Sequence, residues 1–432
     1  MAKRHTNRVG DFESLFLRLE ELVLANSGED EFDEIFKLLI AKLWDEWNPN
    51  PGRFSIQKTP DETRRQITAL LREATDAWPG ILEGTPVSRL TPAHLEVCVQ
   101  AMQPHTIGTS GLEVMDTFFE FLVSTTAKGS KGQYFTPRHV VDFCVRVLRP
   151  SVSDVVLDPA CGSSGFLTNT LGYLRRKGEL TDQLTAEYCA GNLWGFDIDA
   201  RAIKVAKALM ILTGGDGSNI LRLNSLLKPN AGDLFAGPSL TIEDVVRSRR
   251  RNHKGFDLIM TNPPFAGEVR ENELLSQYTL AKARDKIERD ILFLERCVEL
   301  LRPGGRLAIV LPHNKFGVES LEYVRDWLLK KAHVLAVVGL GRHTFLPHTH
   351  QKTSILFAIK HQADERTDYA RPIFFAISER DGKNSKGQPI IREGAPTGGS
   401  AWDRWDHDLA DILHGYEDYQ RGSEEEAWRT SQ

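Results

Sequence analysis

The sequence predicts an α/β protein, a doubly wound and mostly parallel sheet, with an all-helical domain at its N-terminus. Three observations carry this. Short apolar runs without polar alternation, at 155–157, 193–196 and 256–260, recur between helical patterns, as strands buried on both faces do. Two of them end in a glycine loop and in an acid, features that open α/β sheets place at strand carboxyl ends. The first 120 residues carry helix periodicity. The expected division is a helical domain over 1–125, a sheet domain over 126–378, and a hairpin, short helix and tail over 379–432.

Composition narrows the class. With 432 residues, 41% hydrophobic and 26% charged, the chain reads as an ordinary globular protein of one large or two to three modest domains. A net charge of −5 excludes a globally basic nucleic-acid coat but leaves room for a local basic groove. The five cysteines, at 98, 144, 161, 189 and 297, show neither close pairs nor metal spacing, so reduced thiols in a cytosolic chain are expected, with no metal. His94, Cys98 and His105 lack the ligand count and spacing of a metal site. Met1-Ala2-Lys3-Arg4-His5 has charge without an apolar core behind it, unlike a signal peptide, and no apolar run reaches spanning length. A soluble, cytoplasmic protein with no membrane partner is expected.

In chain order, Phe12, Leu15, Phe16 and Leu19, then Phe32, Ile35, Phe36, Leu39 and Leu43, recur at helical steps until Asn48-Pro49-Asn50-Pro51-Gly52 stops them. Helices follow near 61–78 and 91–102, and one more over 113–124 closes the domain. The small, polar, glycine-rich segment 124–132 reads as a linker or mobile loop. Gln133-Tyr134-Phe135-Thr136-Pro137 then opens a helix, with Thr136 suited to the N-cap and Pro137 to the first helical position. The free N–H groups of such a helix start also suit a carboxylate.

Residues 155–167 read as a strand, a tight glycine loop at Asp158-Pro159-Ala160-Cys161-Gly162-Ser163-Ser164-Gly165, and a helix. Gly162 and Gly165 permit positive φ and close approach of a ligand. The spacing is not that of the three-glycine dinucleotide fingerprint, so NAD is disfavoured. About thirty residues later a second strand ends in Asp197-Ile198-Asp199, where a carboxylate can hold ribose hydroxyls. Loop and acid together argue for a nucleoside-containing cofactor over a purely structural βαβ unit. Residues 219–227 give a third short strand with Asn224 at its exit. Arg247, Arg249, Arg250, Arg251 and Lys254 form a basic run that reads as a solvated loop, or as a phosphate contact if it faces the cleft.

The strand at 256–260 delivers Thr261-Asn262-Pro263-Pro264-Phe265. Asn262 offers an amide oxygen to an amino group, the prolines stiffen the turn and present carbonyls, and Phe265 offers a flat face to a heteroaromatic ring. An aromatic amine is a poor nucleophile because its lone pair is delocalised. Two acceptors on its hydrogens favour a tetrahedral nitrogen and free that pair, so the pentapeptide suits alkylation of an exocyclic amine; an ordinary Asn-Pro turn is the bland alternative. Residues 266–290 read as a charged loop over the site, followed by a helix over 291–301 and strands at 306–311, 334–340 and 354–359, with Phe345 between the last two. A strand-like 373–377, a polar hairpin through Gly387, an amphipathic helix over 409–416 and a frayed remainder finish the chain.

These motifs resemble the amino-group DNA methyltransferases, specifically the methylation subunit of type I restriction–modification systems, over roughly 105–418. The resemblance implies a class I S-adenosylmethionine-dependent methyltransferase domain and an adenine-specific enzyme that methylates N6 of a flipped-out base in DNA. It implies that Thr136 and Pro137 contact the methionine carboxylate, and that Asp158, Ala160, Gly162, Gly165, Asp197 and Asn224 bind S-adenosylmethionine. Asn262, Pro263, Pro264 and Phe265 become the catalytic loop, with Phe265 and Phe345 stacking on the base. It also implies a specificity subunit and possibly a restriction subunit, with nuclease and translocase activity, as partners. The isolated chain is then expected to bind DNA weakly and without sequence preference. Three departures stand out: Ser164 where glycine is usual, Asn224 where an acid is common, and little chain after Tyr416, where longer members continue into helices that pack on a specificity subunit. A solitary adenine methyltransferase, an RNA or protein methyltransferase with the same loop, and a non-catalytic assembly subunit are the alternatives.

Overall fold

A computed structural model describes residues 14–22, 28–107 except 83, 122, 135–229 except 216, 240–250, 254–362, 368–396 and 399–430, with side chains omitted at 249 and 423–430. The helix expected over 113–124, apart from Leu122, the linker 124–132 and Gln133-Tyr134 lie outside the described residues. The chain forms two compact units, Met1–Ser130 with Asp199–Ile220, and Lys131–Ile198 with Leu221–Gln432.

The first unit contains the helices Glu31–Trp47, Pro60–Ala77, Pro92–Met102 and Ala200–Leu212. Each starts where a side-chain oxygen satisfies an orphan N–H: Asp30 accepts from Asp33, Thr59 from Glu62, Thr91 from His94, and Asp199 from Arg201 and Ala202. The Asn-Pro turn after the first helix winds around the buried Asp45 carboxylate, which accepts the N–H groups of Gly52, Arg53 and Phe54. Arg201 and Lys204 join the fourth helix to the first through Asp30 at 2.7 Å and Asp33 at 2.8 Å.

The second unit is built on the sheet. Its strands are β1 (Val156–Asp158), β2 (Leu193–Asp197), β3 (Ile220–Arg222), β4 (Phe256–Thr261), β7 (Leu301–Pro312), β8 (Ala332–Gly339), β9 (Thr353–Lys360) and β10 (Phe374–Ile377). A separate two-stranded ribbon pairs β5 (Glu268–Val269) with β6 (Ile287–Glu288). The eight strands run in the order β10-β8-β9-β7-β4-β1-β2-β3. β1 is parallel to β2 and β4, β4 to β7 and β8 to β10, while β9 is antiparallel to both β7 and β8. From β1 the chain steps outward to β2 and β3, then returns to add β4 on the other side of β1. That reversal opens a crevice at the carboxyl ends of β1 and β4, where open sheets bind ligands. Leu157 pairs with Ile259, so the loops after Asp158 and Thr261 leave the same edge side by side.

Several sequence expectations shift. Residues 266–290 have a buried face, with Val269, Leu275, Tyr278, Leu280, Ala281 and Ile287 packed in the core and the β5–β6 ribbon among them. Their apolar positions follow no single period, so the pattern hid them. The last helix runs Leu409–Thr430 instead of ending at Tyr416, consistent with the strong helix formers at 424–429. Pro137, not Thr136, is the N-cap of the helix Arg138–Leu148, and no side chain caps it. Among the described residues no helix is long and apolar enough to cross a membrane.

Candidate active site

The loop after β1 is held by the residues that end β2 and follow β3, its neighbours on one side. Cys161 donates its backbone N–H to Phe196 O at 2.9 Å, and Gly162 donates its own to Asp197 Oδ2 at 3.0 Å. Ser225 Oγ donates to Pro159 O at 2.6 Å. Asp158 is buried and accepts from Ala160 N–H at 3.1 Å. Burial pushes its carboxyl up to about 7; the Thr261 hydroxyl and Ala160 N–H act against the shift, and the Asp197 charge adds to it. Burial likewise raises the Cys161 thiol well above its usual range, so it is not a ready nucleophile.

Gly162 has φ +49, and a Cβ there would meet nothing within 4 Å. The backbone therefore faces open space at this point, a cradle that a ligand can approach closely. Gly165 does not share this conformation, contrary to expectation: it begins the helix Gly165–Arg176, and a Cβ would make an ordinary 3.8 Å contact with Val141. The left-handed residue is its neighbour Ser164, at φ +66, fully buried, with a hydroxyl that meets no acceptor or donor in good hydrogen-bond geometry among the described residues. This geometry explains why glycine suits that position. Ser164→Gly is expected to stabilise the protein by about 1 kcal/mol, from relief of backbone strain and of a buried orphan hydroxyl, less the added freedom of the unfolded chain. Urea unfolding of the two proteins checks this, and an unchanged or lower midpoint would refute it.

Asp199, the other acid of its motif, spends Oδ1 on capping the helix Ala200–Leu212. Asn224 Oδ1 accepts from Leu226 N–H at 3.1 Å and keeps a second lone pair. The segment after Asn224 is clamped. Buried Arg296 donates to Ser225 O at 2.9 Å, to Leu227 O at 3.0 Å and to both oxygens of Glu243, while Tyr278 Oη donates to Leu226 O at 2.6 Å. Sequence reading missed this clamp. It also missed Ile198, a large apolar residue left 63% exposed beside Asp197, a surface that a flat ring would cover.

At the neighbouring strand end, Asn262, Pro264 and Phe265 are half-buried and Pro263 is buried. Phe265 meets Phe345 edge to face, with ring centroids 5.6 Å apart and planes at 83°. Phe345 is 2% exposed, so of the two rings Phe265 is the one with surface to offer. The basic run at 247–254 does not join this edge. It precedes the amino end of β4, about 20 Å of strand from Asn262, and Arg250 donates to Gly191 O at 3.1 Å, just before the amino end of β2. Arg251 lies outside the described residues. Basic side chains at the carboxyl edge include those in the loop joining β8 to β9, which holds Arg342, His343, His348, His350 and Lys352 with no acid between them. The signal was there in the sequence, as Arg342, His343, His348, His350 and Lys352 clustered within a longer stretch, 327–363, that lacks Asp and Glu.

A sheet of this order, with a glycine loop and an acid-tipped strand at its switch point, defines a class I S-adenosylmethionine-dependent methyltransferase fold. A protein described as such an enzyme from Listeria monocytogenes superposes with a TM-score of 0.53, at 16% identity, over 86% of this chain and 93% of that one. The type I restriction-modification system methyltransferase subunit from Streptococcus thermophilus gives 0.57 at 15% identity, over 95% and 94%. More narrowly, the sequence model of the N-6 DNA methylase family matches residues 111–396, and the chain belongs to that family. The methylase subunit of type I restriction enzyme StySPI from Salmonella potsdam is 30% identical over 236 residues, 54% of this chain but only 41% of that protein. The EcoEI methylase subunit from Escherichia coli is 27% identical over 370 residues, 81% of this chain and 69% of that protein.

Proposed function

We propose that this chain transfers the methyl group of S-adenosylmethionine to N6 of an adenine flipped out of DNA, as the modification subunit of a type I-like restriction–modification system. What supports this most is the adjacency of the glycine loop and the Asn262-Pro263-Pro264-Phe265 loop at the switch point. When bound, S-adenosylmethionine supplies an electrophilic methyl on a sulfonium. The start of the helix Arg138–Leu148, beside Thr136 and Pro137, takes the methionine carboxylate. Asp158, Ala160, Gly162 and Gly165 form the loop along its length, Asp197 accepts from the ribose, Ile198 covers the adenine and Asn224 accepts from its amino group. Duplex DNA hides the adenine N6, so the base must leave the stack. Phe265 would then stack on the extruded ring, while Asn262 Oδ1 and Pro263 O would accept the amino hydrogens and leave the nitrogen lone pair free for attack. The S–C bond would break as the N–C bond forms, the thioether would leave, and the surplus N6 proton would pass to solvent. Holding base and cofactor within reach of one another would supply much of the acceleration.

The StySPI and EcoEI relatives are methylase subunits of type I enzymes. Sequence recognition is accordingly assigned to a specificity subunit in trans, with a restriction subunit completing the assembly. Nucleoside analysis of DNA from a methylation-free host tests the reading. N6-methyladenine should be scarce with this chain alone and appear at one motif when a specificity subunit is co-expressed. Methylation confined to RNA or protein would overturn it, and a strict motif from the chain alone would make it a solitary adenine methyltransferase.

The loop 341–352 is the DNA-phosphate surface in this reading. Arg342→Ala should weaken DNA binding and reduce the slope of log affinity against log salt by about one. Lys254→Ala, at the opposite edge, should change neither. Equal effects of the two substitutions in a salt titration would remove the loop from the interface.

A further inference from the structure

We propose that Asp381 is a positioning residue for methyl transfer, holding the loop 341–347 so that Phe345 sets the face of Phe265 against the target base. The inference rests on the function proposed above. Asp381 lies outside every motif that carries the chemistry, 116 positions after Phe265.

The loop joining β8 to β9 spans residues 340–352, long enough to wander unless tied. Its ties come largely from one hairpin. The Asp381 side chain, 9% exposed, uses both oxygens: Oδ2 accepts from His343 N–H at 3.1 Å and Oδ1 from Thr344 Oγ1 at 3.0 Å. It also packs against Gly341, where a Cβ would lie 1.6 Å from Asp381 Oδ1, so only glycine fits beneath the carboxylate. Two residues further on, Lys383 Nζ donates to Leu346 O at 2.9 Å. Gly387, at φ +80, brings the hairpin backbone so close that a Cβ would fall 2.6 Å from Pro347 N. Phe345 sits in the middle of these ties, buried, with its ring 5.6 Å from that of Phe265.

The same hairpin reaches the cofactor side. Asp381 forms a β-bridge with His407, whose ring stacks on His139 at 5.2 Å and 19°, two residues after Pro137. Burial holds both imidazoles below their usual value, so this stack is neutral at physiological pH. Asp381 thus stands where the base loop and the carboxylate-binding helix start are joined through packed side chains. Of the two, the base loop is the one its carboxylate touches. Loss of that carboxylate frees His343 and Thr344, lets Phe345 shift, and removes the backing of Phe265. A displacement near 1 Å of a positioning group costs on the order of a hundredfold in rate.

The test compares Asp381→Ala, Asp381→Asn and the wild-type full chain, with its specificity subunit, for methyl transfer to DNA at saturating cofactor and for S-adenosylmethionine affinity by calorimetry. Expected for Asp381→Ala is a fall in transfer rate of at least about tenfold, with cofactor affinity within twofold of wild type. Asp381→Asn, which keeps an acceptor for His343 N–H and a polar partner for Thr344, should recover most of the rate. An undiminished rate in Asp381→Ala overturns the proposal, as does a parallel loss of rate and cofactor affinity, which would mark a general packing defect. If the wild-type complex transfers no methyl to DNA, the functional reading fails by itself. Positioning is then read from the difference emission of Phe265→Trp with and without Asp381→Ala. A red shift with greater acrylamide quenching supports it, and an unchanged spectrum overturns it.

Discussion

Asn262→Ala should lower methyl transfer by about 10²- to 10³-fold, the scale set by removing one preorganised polar group from a reacting centre. Two features of the loop make the loss specific. Its course is fixed by Pro263 and Pro264, whose φ angles do not depend on the Asn262 side chain, and by β4, whose residues Leu258 to Thr261 are buried. The fold should therefore survive the substitution. The cofactor cradle is built from other strands, so S-adenosylmethionine affinity should stay within twofold. Single-turnover transfer of a labelled methyl, beside calorimetry, reads both quantities. Wild-type turnover would strip Asn262 of its role. A cofactor affinity that fell as far as the rate would relocate that role to the cradle.

Asp197→Ala should have the opposite signature, weakening S-adenosylmethionine binding by about 1.5–3 kcal/mol, or roughly 10- to 150-fold, the range for hydrogen bonds to a charged group. At saturating cofactor the rate should fall much less. Asp197 has two roles under the proposed function: it would offer an acceptor to the ribose, and its Oδ2 receives Gly162 N–H at 3.0 Å. Alanine removes the acceptor and leaves that N–H without its carboxylate, so the loop loosens as well. Asp197→Asn keeps an oxygen for Gly162 and should lose less. Asp199 is no substitute, because its Oδ1 caps a helix through two N–H groups. Unchanged affinity in Asp197→Ala would take the ribose away from this strand end.

The parts legible from sequence are those whose information is local. β1, β2 and β4 announced themselves because a strand covered on both faces must be apolar throughout, and the loops at their ends because glycine, proline and acid have few structural reasons to cluster there. Phe265 and Phe345 were both singled out, but their edge-to-face contact and the burial of Phe345 arise only when β9 inserts between β7 and β8. Positive φ was expected to suit Gly162 and Gly165; Gly162 has it, but the second left-handed residue is Ser164, because composition marks a turn without saying which residue bends. The Arg296 and Asp381 ties were invisible for a different reason. They join residues 30 to 70 positions apart, and no periodicity encodes such a contact. For the basic run at 247–254 the sequence left open whether it faces the cleft, because a strand's two ends look alike in one dimension, although they are opposite edges of a sheet.

The Arg296 clamp has a consequence for turnover. The segment after Asn224 is tied by a buried guanidinium, a buried phenol and the Ser225 hydroxyl, with the acceptors supplied by its own carbonyls, by Glu243 and by Pro159. In the proposed reading this segment borders the nucleoside of the cofactor, and because it is already tied, little ordering entropy would be lost there on binding. Under the proposed function, spent cofactor would exchange at that end without reordering this segment, while DNA stayed engaged at the other strand end. A complex built this way is equipped to methylate more than one adenine in a single encounter with DNA. Trapping with excess competitor DNA after the first transfer would reveal it, since a strictly distributive enzyme would stop at one methyl.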